Sequence, residues 1–152
     1  MLRATEIVAA GAWRGKPADV VRLDYDRRTR RRIALTGVGG LGFLLDLAEV
    51  PVLRAGDGIR LEDGRIVAVE AAPERLLEIT STNASQLARI AWHLGNRHLP
   101  LQALEGRLRI RADHVIAAMV EGLGGRITRL DAPFDPEIGA YAGAAHSHDP
   151  DC

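Results

Sequence analysis

The first half of the chain alternates apolar and polar residues with the two-residue period of β-strands. Short runs of this kind are separated by Gly, Pro and Asp, and they lie at residues 20–25, 32–36, 58–61 and 65–69. The last two runs flank Glu62-Asp63-Gly64, and an Asp-Gly pair readily adopts the positive φ angles of a tight hairpin. Strands this short, with such turns, predict a small sandwich or barrel over residues 1–74.

From residue 75 the period changes, and two amphipathic helices are predicted between strands. The first helix begins at the N-cap Asn83, with Gln86 three residues later as in a capping box. Gly95 or Asn96 is expected to end it, since both residues tolerate the left-handed conformation. The apolar face of this helix is formed by Leu87, Ile90, Ala91 and Leu94.

The second helix is predicted to begin after the cap Asp113 and to end at the glycines of residues 122–125. Its apolar face is formed by Ile116, Met119, Val120 and Leu123. Predicted strands complete the order βαββαβ of ferredoxin-like domains, and they lie at residues 76–80, 99–104, 107–111 and 126–130. We therefore predict an α+β chain. It consists of an all-β domain (1–74), a ferredoxin-like domain (75–133) and a flexible C-terminal tail (134–152).

Composition narrows the classes of function. Of the 152 residues, 47% are hydrophobic and 26% are charged, with a net charge of zero. This balance argues against disorder and against a nucleic-acid-binding surface. No signal peptide and no apolar run of the ~18 residues needed to cross a bilayer is seen. The single cysteine fits a reducing compartment, so we expect a soluble cytoplasmic protein.

Three local patterns suggest functions that their context does not support. Residues 37–42 match the dinucleotide-binding pattern G-x-G-x-x-G. Pro51 follows too soon for the long helix that such a site needs, so a glycine-rich β-turn is the better interpretation.

The basic run Arg27–Arg32 lacks the aromatic side chains on which nucleic-acid bases stack, which predicts a solvated hairpin tip. Ferredoxin-like RNA-binding modules stack bases on aromatic side chains of the sheet, and residues 75–129 offer only Trp92, which is on a helix. No set of nucleophile, base and orienting residue indicates an enzyme.

Histidines are the main candidates for chemistry, because neutral imidazole is a common ligand of Ni²⁺, Cu²⁺ and Zn²⁺. Of five histidines, His93 and His98 lie in the segment 93–100, and His114 follows the cap of the second helix. His98 comes after a helix end and before Pro100, in an exposed connection. His93 lies beside the apolar face, which favours a packing role. For His98 and His114, an ordinary surface histidine is the alternative interpretation.

The tail carries the other two histidines. His146 and His148 are two residues apart, so in an extended chain both imidazoles project to the same side and can approach one ion. Asp149, Asp151 and Cys152 add oxygen and sulfur donors. Two histidines in a tail are by themselves weak evidence for a metal site.

Several strings of residues together resemble the UreE family of urease accessory proteins. In the first half these are residues 56–64 (Gly-Asp-Gly-Ile, then Glu-Asp-Gly) and Ala-Ala-Pro-Glu at 71–74. In the second half they are residues 93–100, with the specific string Gly-Asn-Arg-His-x-Pro, then Asp113-His114-Val115, and Phe-Asp-Pro-Glu at 134–137. The resemblance extends through both predicted domains.

This resemblance implies a nickel metallochaperone and not an enzyme. It implies an N-terminal domain comparable to chaperone peptide-binding domains, and a homodimer that binds Ni²⁺ at its interface through His98 of each subunit. His146, His148 and His114 are further metal ligands on this reading, and Zn²⁺ or Cu²⁺ would also bind in vitro. The implied partners are apo-urease and the maturation complex with the GTPase UreG. The alternative is a peptide-binding scaffold whose metal binding is incidental.

Overall fold

The computed structural model describes residues 1–137, which divide into two compact units, one of residues 1–72 and one beginning at Pro73. His146, His148 and Cys152 therefore lie outside the described residues. None of the helices within residues 1–137 combines the length and apolarity needed to cross a bilayer.

The first unit is a single six-stranded sheet with one short helix. Its elements are β1 (Leu2–Val8), β2 (Asp19–Leu23), α1 (Tyr25–Arg28), β3 (Arg32–Thr36), β4 (Gly42–Asp46), β5 (Gly58–Leu61) and β6 (Ile66–Ala71). The strand order is β2-β6-β5-β1-β4-β3, with parallel pairs β1–β4 and β2–β6. Val38 N donates to Val20 O (2.8 Å), which joins the loop after β3 to the opposite edge strand. The sheet is therefore nearly closed, in agreement with the predicted small all-β domain.

The glycine-rich segment of the first unit is a turn between β3 and β4, as predicted. Asp19 holds it: its carboxylate accepts hydrogen bonds from Leu41 N (3.0 Å), Gly39 N (2.9 Å) and Val20 N (2.7 Å). A Cβ at Gly37 would overlap this carboxylate, so glycine is required there by close approach. No helix follows the turn, which excludes the dinucleotide interpretation.

We expect Asp19 to stabilise the first unit in a pH-dependent way. The backbone N–H groups of Leu41, Gly39 and Val20 hold the pKa of Asp19 below its ordinary value. A carboxyl whose pKa is lowered by folding contributes its full stability above its unfolded pKa of about 3.9, and the contribution is lost as the pH falls through the folded pKa. Asp19→Asn should therefore lower the melting temperature at neutral pH. The difference in melting temperature between this variant and the parent chain should become smaller in acid. Thermal melts from neutral pH into acid test this, and a deficit independent of pH would contradict it.

The basic run is not the uniformly solvated hairpin tip that the sequence predicted. Its first residues belong to the helical turn α1, where Asp24 accepts a hydrogen bond from Arg27 N (2.9 Å) as the N-cap. Arg28 is fully buried. Its Nε donates to Leu23 O and its Nη1 to Leu53 O, both at 3.2 Å. Arg28 therefore binds two backbone segments together inside the unit, and it is not available to a nucleic acid.

The second unit has the predicted order βαββαβ. Its elements are β7 (Pro73–Thr80), α2 (Ala84–Asn96), β8 (Gln102–Leu104), β9 (Arg107–Arg111), α3 (His114–Gly122) and β10 (Arg126–Pro133). The sheet order β10-β7-β9-β8, with antiparallel neighbours throughout, is that of a ferredoxin-like domain. Both helices pack on one face of the sheet, where Leu77 and Ile79 meet Ile90, Leu94 and Val120.

The predicted N-caps are confirmed, and their surroundings show one difference. Asn83 accepts a hydrogen bond from Gln86 N (2.8 Å), as a cap should. The Gln86 side chain reaches back to the residue before the cap, where its Oε1 accepts a hydrogen bond from Thr82 Oγ1 (3.2 Å). Its Nε2 donates to Leu123 O (3.1 Å), which joins the start of α2 to the end of α3.

Candidate metal site

His98 occupies the left-handed position that ends helix α2. Its φ angle is +59°, which is the one positive φ of a residue other than glycine in the described part of the chain. His98 N donates to Gly95 O (2.9 Å) and Leu99 N to Leu94 O (3.4 Å), the two bonds of a Schellman motif. The helix ends at Asn96, as predicted, but the left-handed conformation expected at Gly95 or Asn96 is found at His98 instead.

The conformation of His98 is costly and is held by its neighbours. A left-handed backbone costs a residue with a Cβ about 1–2 kcal/mol. Leu94 is fully buried and Leu99 packs against the same core, the apolar contact that accompanies this motif. The His98 side chain is exposed. A strained residue with an exposed, chemically active side chain is typical of functional sites.

The turn at His98 also shortens the strand that follows. We predicted one strand over residues 99–104, but β8 contains only Gln102–Leu104. The chain reverses at His98, and Pro100 has no N–H to donate to a sheet. Residues 99–101 therefore form a connection next to the site.

His114 lies at the same end of the second unit. Asp113 accepts hydrogen bonds from Val115 N (2.8 Å) and Ile116 N (3.2 Å), which fixes His114 as the first residue of α3. Because β9 runs antiparallel to β7, the end of α2 and the start of α3 lie at one end of the sheet. His114 lies in the first turn of the helix, as predicted, and its side chain is exposed.

Between these two helix ends lies an apolar depression of about 310 Å³. It is lined by Leu99, Pro100, Ile110, Arg111, Ala112, Asp113 and Ile116. His98 directly precedes this lining and His114 follows Asp113. Trp92 and Val115, which are 64% and 57% exposed, lie at the same end. His93 is half-buried, with its ring edge-on to Trp92 at a centroid distance of 5.0 Å. An exposed histidine beside exposed apolar side chains suits a face that another chain covers.

The second unit does not assemble a complete metal site by itself. Within residues 1–137, no group of three or more His, Cys, Asp or Glu side chains is placed to hold an ion. A metal bound by His98 would therefore need further ligands, either from a second copy of the chain or from the residues after 137.

The segment that precedes the tail histidines is fixed near His98. Phe134 is fully buried, Asp135 N donates to Gln102 Oε1 (3.2 Å) and Glu137 N donates to Leu101 O (2.7 Å). These residues leave edge strand β10 and reach the opposite edge at β8. We predicted that residues 134–137 belong to the flexible tail, because no local pattern in the sequence indicates this crossing. Glu137 is thus held at Leu101, which follows His98 by three residues.

Comparison with known proteins covers both units. Residues 4–72 match the family of the UreE urease accessory protein N-terminal domain, and residues 74–151 match that of its C-terminal domain. The chain is similar to the urease accessory protein UreE of Bradyrhizobium sp. (strain ORS 278), with 55% identity over 148 residues, 97% of this chain and 70% of that protein. It is 53% identical to that of Beijerinckia indica over 148 residues, 97% of this chain and 86% of that protein. It is 45% identical to the urease accessory protein UreE of Rhodobacter capsulatus over 153 residues, which are 99% of this chain and 95% of that protein.

Proposed function

Because this chain belongs to the UreE family of urease accessory proteins and so has a role in urease maturation, we propose that it carries Ni²⁺ for that process. In this proposal it is a cytoplasmic homodimer and not an enzyme. It binds nickel at the subunit interface through His98 of each chain, and it hands the ion to apo-urease through a complex that includes the GTPase UreG.

The observation that carries the proposal is the exposed imidazole of His98 on a constrained backbone. It projects from a strained helix end beside an apolar depression, and residues 1–137 supply no group of three potential ligands. A two-fold axis next to His98 would convert one imidazole into a pair, and the same axis would cover the exposed Trp92 and Val115. Imidazole nitrogen is a suitable ligand for Ni²⁺, although affinity alone would favour Cu²⁺.

The tail histidines complete the proposed site. Glu137 is held at Leu101, and His146 follows nine residues later. An extended chain spans roughly 3.3–3.6 Å per residue, so nine residues reach up to about 30 Å. His146 and His148 can therefore approach an ion at His98. As tail ligands they could be replaced by ligands of a partner protein, which a carrier needs in order to release its metal. Because ligand imidazoles must be deprotonated, we expect nickel affinity to fall on acidification.

His114 is a second proposed ligand, with a weaker basis than His98. It is exposed at the same end of the sheet, but its neighbours on the preceding side are Arg111 and Ala112, which offer no additional imidazole. We propose that it assists the tail ligands and does not form a separate internal site.

Native mass and metal content, measured together on the nickel-loaded full-length protein, test the shared site. We expect a mass of two chains and one tightly bound Ni²⁺ per dimer, with weaker ions added through the tail. A monomer that binds one tight ion per chain would overturn the shared site. So would a dimer with no tight nickel.

A further inference from the structure

A second cavity in the ferredoxin-like unit is lined by charged side chains that the proposed metal site does not use. Its volume is about 440 Å³, and it is lined by Arg75, Leu76, Ala112, Arg129, Leu130 and Asp131. We call it the Arg75–Arg129 cavity. Ala112 also lines the depression between His98 and His114, and Ala112 N donates to Arg75 O (2.9 Å). The two concave surfaces are therefore neighbours.

Sheet register places the charged groups of this cavity together. Arg75 pairs with Asp131 across β7 and β10, and Arg129 pairs with Leu77. Residues two apart on a strand share a face, so all three charged side chains continue the face on which Leu77 packs under the helices. Arg75, Arg129 and Asp131 are exposed, which shows that the helices leave this corner of the sheet uncovered. Diagonal neighbours such as Arg75 and Arg129 lie about 7–8 Å apart, within reach of long side chains.

The two guanidinium groups have no counter-ion among the described residues. Within residues 1–137, the side chains of Arg75, Arg129 and Asp131 make no ion pair or hydrogen bond. On the opposite face of the sheet, by contrast, the Nε atoms of Arg107 and Arg109 each lie 3.0 Å from Glu78 Oε1. Two arginines of that face thus have a carboxylate partner, whereas Arg75 and Arg129 in the cavity have none within residues 1–137.

We propose that the Arg75–Arg129 cavity binds a carboxylate side chain from an acidic segment of a partner protein. Guanidinium groups bind carboxylates in a two-pronged geometry, and two of them can hold one carboxylate from both sides. Two arginines and one aspartate give a net charge of +1, which matches a carboxylate better than a phosphate of charge near −2. No aromatic side chain lines the cavity to stack a nucleotide base. The role of this cavity rests on the proposed function, because a partner protein whose acidic segment is bound here would lie beside the proposed nickel ligand His98.

Binding of a fluorescent hexaglutamate peptide to the full-length protein, followed by fluorescence anisotropy at low salt, tests the cavity. The double variant Arg75→Gln/Arg129→Gln should bind the peptide about tenfold more weakly or worse, because charge-assisted hydrogen bonds are lost. The matched control is Arg126→Gln, an exposed arginine on the same strand β10 but on the other face. It should leave the affinity within about twofold, since removal of a distant exposed charge has a small effect.

A third variant gives an effect of opposite sign. Asp131→Asn removes the negative charge of the cavity while leaving both arginines, so it should bind hexaglutamate more tightly than the parent chain. The proposal is overturned if the double variant binds as well as the parent or if Arg126→Gln loses as much affinity. It is also overturned if an oligonucleotide of equal charge binds more tightly than the peptide.

Nickel titration of the same variants separates this inference from the proposed function. Arg75→Gln/Arg129→Gln should keep full nickel affinity, because neither residue is a proposed ligand. If nickel binding proves independent of His98 while peptide binding still requires both arginines, the metal proposal fails and the cavity stands. If nickel binding requires His98 but peptide binding does not depend on the two arginines, the cavity proposal fails and the metal proposal stands.

Discussion

Replacement of His98 by alanine is expected to weaken nickel binding by at least about 100-fold, since even residues that only support a ligand typically contribute 10–100-fold. The reason is geometric as well as chemical. Each dimer loses both His98 imidazoles at once, and the remaining proposed ligands are His114 and the tail histidines beyond Glu137. Titration calorimetry of the metal-free protein at neutral pH measures the loss. A His98→Ala chain that retains full nickel affinity would refute the site.

The matched control is His93→Ala, which removes an imidazole from the same helix. His93 is half-buried, has its ring edge-on to Trp92 and is not a proposed ligand. We expect nickel affinity to be unchanged in this variant. An equal loss in His93→Ala would show that the helix end, and not the His98 imidazole, determines binding.

A glycine at position 98 separates the metal-binding role from the backbone role. Glycine adopts φ of +59° without steric cost, whereas alanine and histidine do not. His98→Gly should therefore lose nickel like His98→Ala but be more stable than His98→Ala by about 1 kcal/mol. Denaturant unfolding of both variants measures this difference. If glycine gave no gain over alanine, the conformation at residue 98 would not be strained.

Replacement of Phe134 by alanine is expected to destabilise the second unit by about 3–5 kcal/mol, the usual cost of deleting a fully buried aromatic ring. Phe134 is completely inaccessible, and the residues after it bond to Gln102 and Leu101 at the far edge of the sheet. Urea unfolding of the metal-free protein measures the loss. The control Glu137→Ala removes an exposed side chain and keeps the backbone bond, so a change within about 0.5 kcal/mol is expected. A loss below about 1 kcal/mol in Phe134→Ala would mean that this segment is not part of the core.

The sequence predicted well wherever the signal is local. Asn83 and Asp113 were recognisable as caps because a side-chain oxygen and the N–H groups it accepts from are two or three residues apart. The left-handed residue could not be placed in this way. Glycine and asparagine are the intrinsically favoured residues, and the buried contact of Leu94 with the Leu99 side of the turn moved the position to His98. Tertiary packing overrode local preference there.

Features that depend on residues far apart in the sequence could not be predicted from local patterns either. Arg28 looked like part of a charged turn, and its burial depends on carbonyls of Leu23 and of the distant Leu53. Arg75 and Arg129 are far apart in sequence and meet only through the register of β7 and β10. Histidine positions could be read from the sequence, whereas the depression beside His98 needed the assembled sheet. The roles of His98, His114, His146 and His148 in metal binding stay predictions.

The parallel pairing of β2 with β6 bears on how the protein is made. β6 is the last strand of the first unit to be synthesised, and in the sheet it lies between β2 and β5. While the chain is still emerging from the ribosome, β2 has no neighbouring strand until residues 66–71 are available, and only the Val38–Val20 bond can hold it. Domains generally fold as units, the N-terminal one first. We therefore expect nascent chains that stop short of β6 to be protease-sensitive, and protection of the first unit to appear abruptly once that strand has emerged.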